Sequence, residues 1–344
     1  MQDLLTSNYD YFLPAERIAS FPASPKESAK LLVYNRVDKS IAHSDFWHFR
    51  DFLPKETLLI FNDTKVLPAR IYGNKISKGN EKGAKIEALF HREKEKNIYL
   101  LQFRGRLKVG DKIAFENGVI AEILEDCGMG FKMASFFQNN KPLLKNDFFI
   151  FLESFGHIPL PPYIKRKDEA LDKNEYQSVF AKNLGAIAAP TASLHFSEDS
   201  FKGLQSDFDS AWVTLHVGAG TFIGVGSENI LEHKMHKESF FISKATQEKI
   251  KNAKHITAIG TTSTRVLEYF CREKKESGEC DLFLHPQNKP QITNALLTNF
   301  HLPKTTLLML VASFIGLDEV KRVYKEAIQK EYRFYSYGDG MLIL

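Results

Sequence analysis

Two periodicities divide the chain. From about residue 69 to 140, apolar and polar residues alternate, as in 85–90 (KIEALF) and 98–103 (IYLLQF). A period of two puts one face of a segment against a core and the other in water, the mark of a half-buried strand. Gly105, Gly110, Gly118, Gly128 and Gly130 interrupt this pattern at short spacing. Residues 111–115, then Glu116-Asn117-Gly118, then 119–124 read as a hairpin with an Asn-Gly turn. Many short strands with close turns predict a small all-β barrel domain over residues 69–149, inserted into the rest.

The flanks mix both periods. Residues 255–260 (HITAIG) form a short apolar strand, Thr261-Thr-Ser-Thr264 follows, and Val266, Leu267 and Phe270 then take helical spacing. Residues 318–329 are apolar at 320, 323, 324, 327 and 328, an amphipathic helix that opens with acids. Strands alternating with helices predict a mixed α/β core made of residues 1–68 and 150–344.

Composition changes this picture little, and charge changes it more. The chain has 344 residues, 43% hydrophobic and 26% charged, as a soluble globular protein does. Its longest apolar run, 307–312, is too short to span a bilayer, and no basic-then-apolar leader precedes the first strand. Three cysteines without a CxxC pair point to reduced thiols, a cytoplasmic setting and no cysteine zinc site. The net charge is +4, but residues 74–112 carry eleven Lys/Arg against five Asp/Glu, which leaves the remainder slightly acidic. Such a run is either a solvated face or a surface for phosphate backbones.

Candidate chemistry gathers in the core. Alternation over 211–217 puts Trp212, Thr214 and His216 on one face, just before Gly218-Ala-Gly220-Thr221, where a turn can expose N–H groups to an anion. The strand–Gly260-Thr261-Thr262–helix unit offers a helix N-terminus to a carboxylate or phosphate, with Arg265 one turn further on. Residues 184–196 (LGAIAAPTASLHF) are mostly small and deliver one histidine, His195. His157 lies in a proline-stiffened loop, His233 and His236 are three apart, Asn299 and His301 are close, and Arg333, Tyr337, Gly338 and Asp339 cluster near the C-terminus. The His233/His236 spacing raises a metal site, but no HExxH or firm ligand set accompanies it, so no metal is expected.

Taken in order, these motifs resemble a known family. They are Asn62-Asp-Thr-Lys-Val-Leu-Pro-Ala-Arg70, Gly156-His-Ile-Pro-Leu-Pro-Pro-Tyr163, Ala188-Ala-Pro-Thr-Ala192 with Leu194-His-Phe196, and Leu215-His-Val-Gly-Ala-Gly-Thr-Phe222. Gly260-Thr-Thr262 with Arg265, Thr298-Asn-Phe-His-Leu-Pro303 and Ser336-Tyr-Gly-Asp339 complete the series. The chain resembles the S-adenosylmethionine:tRNA ribosyltransferase-isomerases of queuosine biosynthesis. It departs at Ser193, where the family usually has glycine, at 222–225 (FIGV) in place of Phe-Arg-Pro-Val, and at 286–288 in place of Pro-Gly-Tyr.

The resemblance implies a cytoplasmic enzyme that transfers and isomerises the ribosyl part of S-adenosylmethionine onto 7-aminomethyl-7-deazaguanine at the wobble position of tRNA. The product is epoxyqueuosine, and adenine and methionine leave. S-adenosylmethionine is then a consumed cosubstrate, with no permanently bound cofactor and no metal. The implied partners are S-adenosylmethionine and the anticodon region of tRNA, with no membrane, the protein being a monomer or weak oligomer. From residue chemistry, His195 and His216 are the candidate bases, with Arg333 and Asp339 at the ribose hydroxyls or the amino-acid part. Pro190, Thr191, Ala192, Gly218, Gly220, Thr221, Thr261, Thr262, Arg265, Asn299, His301, Tyr337 and Gly338 are expected to bind the cosubstrate. A metal-dependent nucleotide hydrolase and a non-catalytic RNA-binding protein are the other two readings.

Overall fold

A computed structural model describes residues 2–76, 82–218, 220 and 224–344. The chain divides into two compact units, one of residues 1–65, 161–166 and 174–344, the other of 66–160 and 167–173.

The larger unit is built on a nine-stranded mixed sheet. Its order is Ser277–Cys280, Glu238–Ile242, Ser210–Leu215, Thr57–Asn62, His255–Ile259, Ala295–Asn299, Gly340–Ile343, Lys30–Tyr34, Ile41–Asp45. The four central strands, Ser210–Leu215 through Ala295–Asn299, run parallel. Parallel strands are covered on both faces, and Thr57–Asn62 and Ala295–Asn299 are accordingly buried at every position. One face packs Phe46, Phe49, Phe61, Phe196 and Phe201 into an aromatic core with Leu31, Leu297 and Leu342.

The helices follow the periodicity. Thr261–Glu273 buries Val266, Leu267 and Phe270. It starts at Gly260, whose φ of 95° a side chain would strain. The apolar run becomes the buried Thr306–Ile315 helix, capped by the Thr305 hydroxyl, which accepts from Leu308 N at 3.4 Å. Leu317–Gln329 follows and buries Val320, Val323, Tyr324 and Ala327. Among the described residues no helix is long and apolar enough to cross a membrane.

The smaller unit is a closed six-stranded antiparallel barrel, as the alternation predicts. The ring runs Phe131–Gln138, Ile98–Arg104, Lys82–Glu95, Arg70–Ile76, Lys112–Ala114 and Val119–Gly128, which pairs back with Phe131–Gln138. The predicted turn is present: Asn117 and Gly118 have φ of 54° and 67°, and Phe115 N donates to Val119 O at 2.8 Å. This unit takes in more chain than residues 69–149. Helix Lys145–Phe155 belongs to it because Phe148 stacks on Tyr99 at 4.2 Å and packs on Phe136 at 4.7 Å, filling the barrel with Phe90, Phe115 and Phe151. Of the basic run, Lys85, Lys94, Lys96, Arg104, Arg106 and Lys108 are exposed.

Candidate active site

Three strands of the parallel core, Ser210–Leu215, His255–Ile259 and Ala295–Asn299, deliver their C-terminal ends to one place in the larger unit. Val217 follows one strand, Gly260, Thr261 and Thr262 the next, and Asn299, His301 and Leu302 the third. They line a pocket of about 670 Å³, its open mouth included. The first of the central strands in the chain, Thr57–Asn62, has later strands on both sides, so the strand order reverses here. Open α/β sheets bind ligands in the crevice such a reversal creates.

The remaining wall comes from two irregular segments. Pro190, Thr191 and Ala192 open a short 3₁₀ turn, Thr191–His195, while Tyr335 and Ser336 come from near the C-terminus and Tyr163 from the proline-rich loop. The rings of Tyr163 and Tyr335 lie 4.5 Å apart, and the Tyr163 hydroxyl is 2.5 Å from Ser336 Oγ. Tyr335 has a φ of 72°, a costly conformation for a bulky side chain that is found where a site demands it.

Asn299 organises the polar end. The Thr191 hydroxyl donates to its Oδ1 at 2.7 Å, and its Nδ2 donates to His195 Nε2 at 3.3 Å. Two residues on, His301 Nε2 is 2.7 Å from the Thr298 hydroxyl, and its backbone N donates to the Tyr324 hydroxyl at 3.1 Å. Tyr11 OH donates to the His301 carbonyl. Burial pushes both imidazoles down to about 3, helped at His195 by the charges of Arg333 and Lys26. Both are neutral at physiological pH.

The helix start behaves as a ligand-ready N-terminus. Thr262 Oγ1 accepts from Asn62 Nδ2 at 3.1 Å, while Ser263 and Thr264 hydroxyls turn back to the carbonyls of Ile259 and Gly260. No side chain caps the first turn, so its N–H groups are left for whatever enters the pocket.

Several expected residues take other places. His195 lies behind Asn299, stacked on Phe46 at 4.0 Å, and is not among the pocket's lining residues. Its lone pair is used by Asn299. His216 is also outside the lining; its Nδ1 is 2.8 Å from the Thr64 hydroxyl. Its ring covers Gly185, where a Cβ would come within 2.8 Å, which is one reason residues 184–196 are small.

Arg265 is not among the pocket's lining residues. It is buried against Glu238, and its Nε donates to Leu282 O at 3.1 Å. Glu238 also takes the Gly218 N–H at 2.8 Å, so neither Gly218 nor Arg265 is left for an anion. Gly220 packs under the His236 ring. Thr221 lies outside the described residues.

Arg333 and Asp339 form an ion pair at 3.2 Å, and Asp339 Oδ2 accepts from Arg333 N at 2.7 Å. With Gly338 N donating to Tyr335 O at 3.0 Å, this closes the loop that presents Tyr335 and Ser336. Tyr337 is buried edge-on to Tyr176, itself a lining residue.

His233 and His236 follow the 3₁₀ turn Ile230–Glu232 in irregular chain, not on a helix. Among the described residues no three His, Cys, Asp or Glu side chains group as metal ligands. Ser193 stands in ordinary backbone inside the 3₁₀ turn, so replacing the usual glycine stores no strain. Tyr163, Thr298 and Ser336 fall inside the motifs quoted above but are not among the residues expected to line the pocket, and nothing in the sequence marks the role of Tyr335.

A largely apolar crevice with a few polar groups at the carboxyl edge of a parallel sheet, with an uncapped helix start and a strained tyrosine in its wall, defines an α/β enzyme. Residues 6–343 match the family of queuosine biosynthesis proteins, and the chain belongs to that family. It is 51% identical to the S-adenosylmethionine:tRNA ribosyltransferase-isomerase of Helicobacter pylori strain HPAG1, with 100% of both chains covered. It is 52% identical to the protein of that name from Campylobacter jejuni strain 81-176, covering 100% of this chain and 99% of the relative. The crystal structure of S-adenosylmethionine tRNA ribosyltransferase from Thermotoga maritima shares 29% identity and a TM-score of 0.54, over 98% of this chain and 100% of that one.

Proposed function

We propose that this chain transfers and isomerises the ribosyl part of S-adenosylmethionine onto 7-aminomethyl-7-deazaguanine at the tRNA wobble position, giving epoxyqueuosine, adenine and methionine. One observation carries the reading: the pocket that ends the parallel core combines aromatic walls, an uncapped helix start and a neutral buried histidine. The names of the full-length relatives support it.

The sulfonium acidifies the C5′–H of S-adenosylmethionine. A base takes that proton, the ribose ring opens and adenine leaves with a proton. The aminomethyl nitrogen then forms its bond to the sugar, and epoxide closure expels methionine. His301 is the imidazole lining the pocket, and the proton-acceptor role falls to it. The role requires the tautomer whose Nε2–H is donated to the Thr298 hydroxyl, 2.7 Å away, which leaves the lone pair on Nδ1. Tyr163 and Tyr335 supply flat apolar surface for a purine, and the first turn of Thr261–Glu273 supplies N–H donors for a carboxylate.

The exposed lysines and arginines of the barrel unit take the RNA backbone in this reading. The test incubates the protein with S-adenosylmethionine and tRNA carrying the deazaguanine precursor. Adenine release that requires the modified tRNA supports the proposal; release without it, or none, contradicts it.

A further inference from the structure

The arrangement round Asn299 goes one step further than the reaction class. A carboxamide has two N–H donors and two acceptor lone pairs on Oδ1. At Asn299 one N–H is given to His195 and one lone pair to the Thr191 hydroxyl. Beyond these two, no hydrogen bond to the Asn299 side chain is seen among the described residues, and Asn299 lines the pocket. A donor and an acceptor side by side in one plane match the adenine edge formed by N6–H and N7, the pairing that asparagine makes with adenine elsewhere.

We infer that Asn299 reads the 6-aminopurine of the cosubstrate, and that His195 is a positioning residue that holds the Asn299 amide in its reading orientation. This rests on the function proposed above. The Thr191 hydroxyl donates to Oδ1 and Nδ2 donates to His195 Nε2, so with the imidazole hydrogen on Nδ1 both contacts are met in this one amide orientation. A protonated imidazole would offer only donors and turn the amide round. Burial and the Phe46 stack keep His195 neutral and its ring plane fixed. A 6-oxopurine presents acceptors at both O6 and N7, and its O6 would face Asn299 Oδ1. Selectivity for the amino form is the consequence.

The experiment titrates the full chain with S-adenosylmethionine and with its deaminated 6-oxo counterpart. Wild type binds the amino form tighter, on the order of tenfold or more. His195→Phe keeps the stack on Phe46 but removes the acceptor. It brings the two affinities together while affinity for precursor-bearing tRNA stays unchanged. His195→Gln, which retains an acceptor, restores much of the ratio. Equal wild-type affinities overturn the reading of Asn299, and a ratio that survives in His195→Phe overturns the positioning role. A wild type that binds neither compound overturns the proposed function and this inference together.

Discussion

Two segments each bring a histidine to the neighbourhood of Asn299, and they put it on opposite sides. The turn Thr191–His195 sends Thr191 into the pocket and His195 behind it, onto Phe46. The end of strand Ala295–Asn299 and the segment after it bring Thr298, Asn299 and His301 to the pocket, with the Thr298 hydroxyl 2.7 Å from the imidazole. Both histidines are buried and neutral, so burial and protonation do not tell them apart. What differs in the proposed roles is the use of the lone pair: Asn299 occupies it at His195, and at His301 the proton-acceptor role leaves it to the pocket. A buried histidine is therefore a base or a brace according to which partner reaches its free nitrogen first.

The largest effect is expected at His301. His301→Gln should lower kcat for adenine release by roughly 10²–10⁴-fold, the usual worth of a general base, with little change in KM. His195→Gln should retain most of kcat, and a larger kcat loss there than at His301 would reverse the comparison.

Next comes the buried pair that replaces the expected anion-binding arginine. Glu238→Gln leaves the Arg265 guanidinium buried beside a neutral partner and should destabilise the fold by about 3–5 kcal/mol. The urea midpoint reads this. An unchanged midpoint with weakened cosubstrate binding would instead return Arg265 to the ligand.

In the barrel unit, charge reversal at Lys94, Lys96, Arg104 and Arg106 should weaken tRNA binding and flatten its salt dependence, by about one unit of log–log slope for each phosphate no longer neutralised. Cosubstrate affinity should not move. An unchanged slope would assign this surface to solubility.

The last effect is on stability in mild acid. His195 and His301 are depressed to about 3 in the folded state, so between that value and the ordinary histidine range the unfolded chain binds more protons. Stability is then complete above the unfolded pKa and is lost as pH falls, with a limiting slope of about 1.4 kcal/mol per pH unit for each histidine. Chemical denaturation at a series of pH values should show a shallower slope in His195→Phe than in wild type.

Much of the architecture was legible. Alternation at 85–90 and 98–103 fixes which side of the barrel wall each residue faces, and the spacing of Val266, Leu267 and Phe270 fixes the buried side of a helix. The end of the barrel unit was not legible, because Phe148 and Phe151 fill the barrel from a helix whose own period says nothing about its partner. The polar motifs located the pocket but not the roles within it. Glu238 meets Arg265 across 27 residues, and His195 meets Asn299 across 104, pairings that no local pattern encodes. The positive φ of Tyr335 depends on the clasp made by Arg333, Gly338 and Asp339.

The most direct measurement follows hydrogen exchange at C5′ of S-adenosylmethionine in D₂O, with precursor-bearing tRNA present. Wild type and His195→Gln should introduce deuterium at C5′, and His301→Gln should not. Exchange that persists in His301→Gln and vanishes in His195→Gln would contradict the assignment of the proton acceptor.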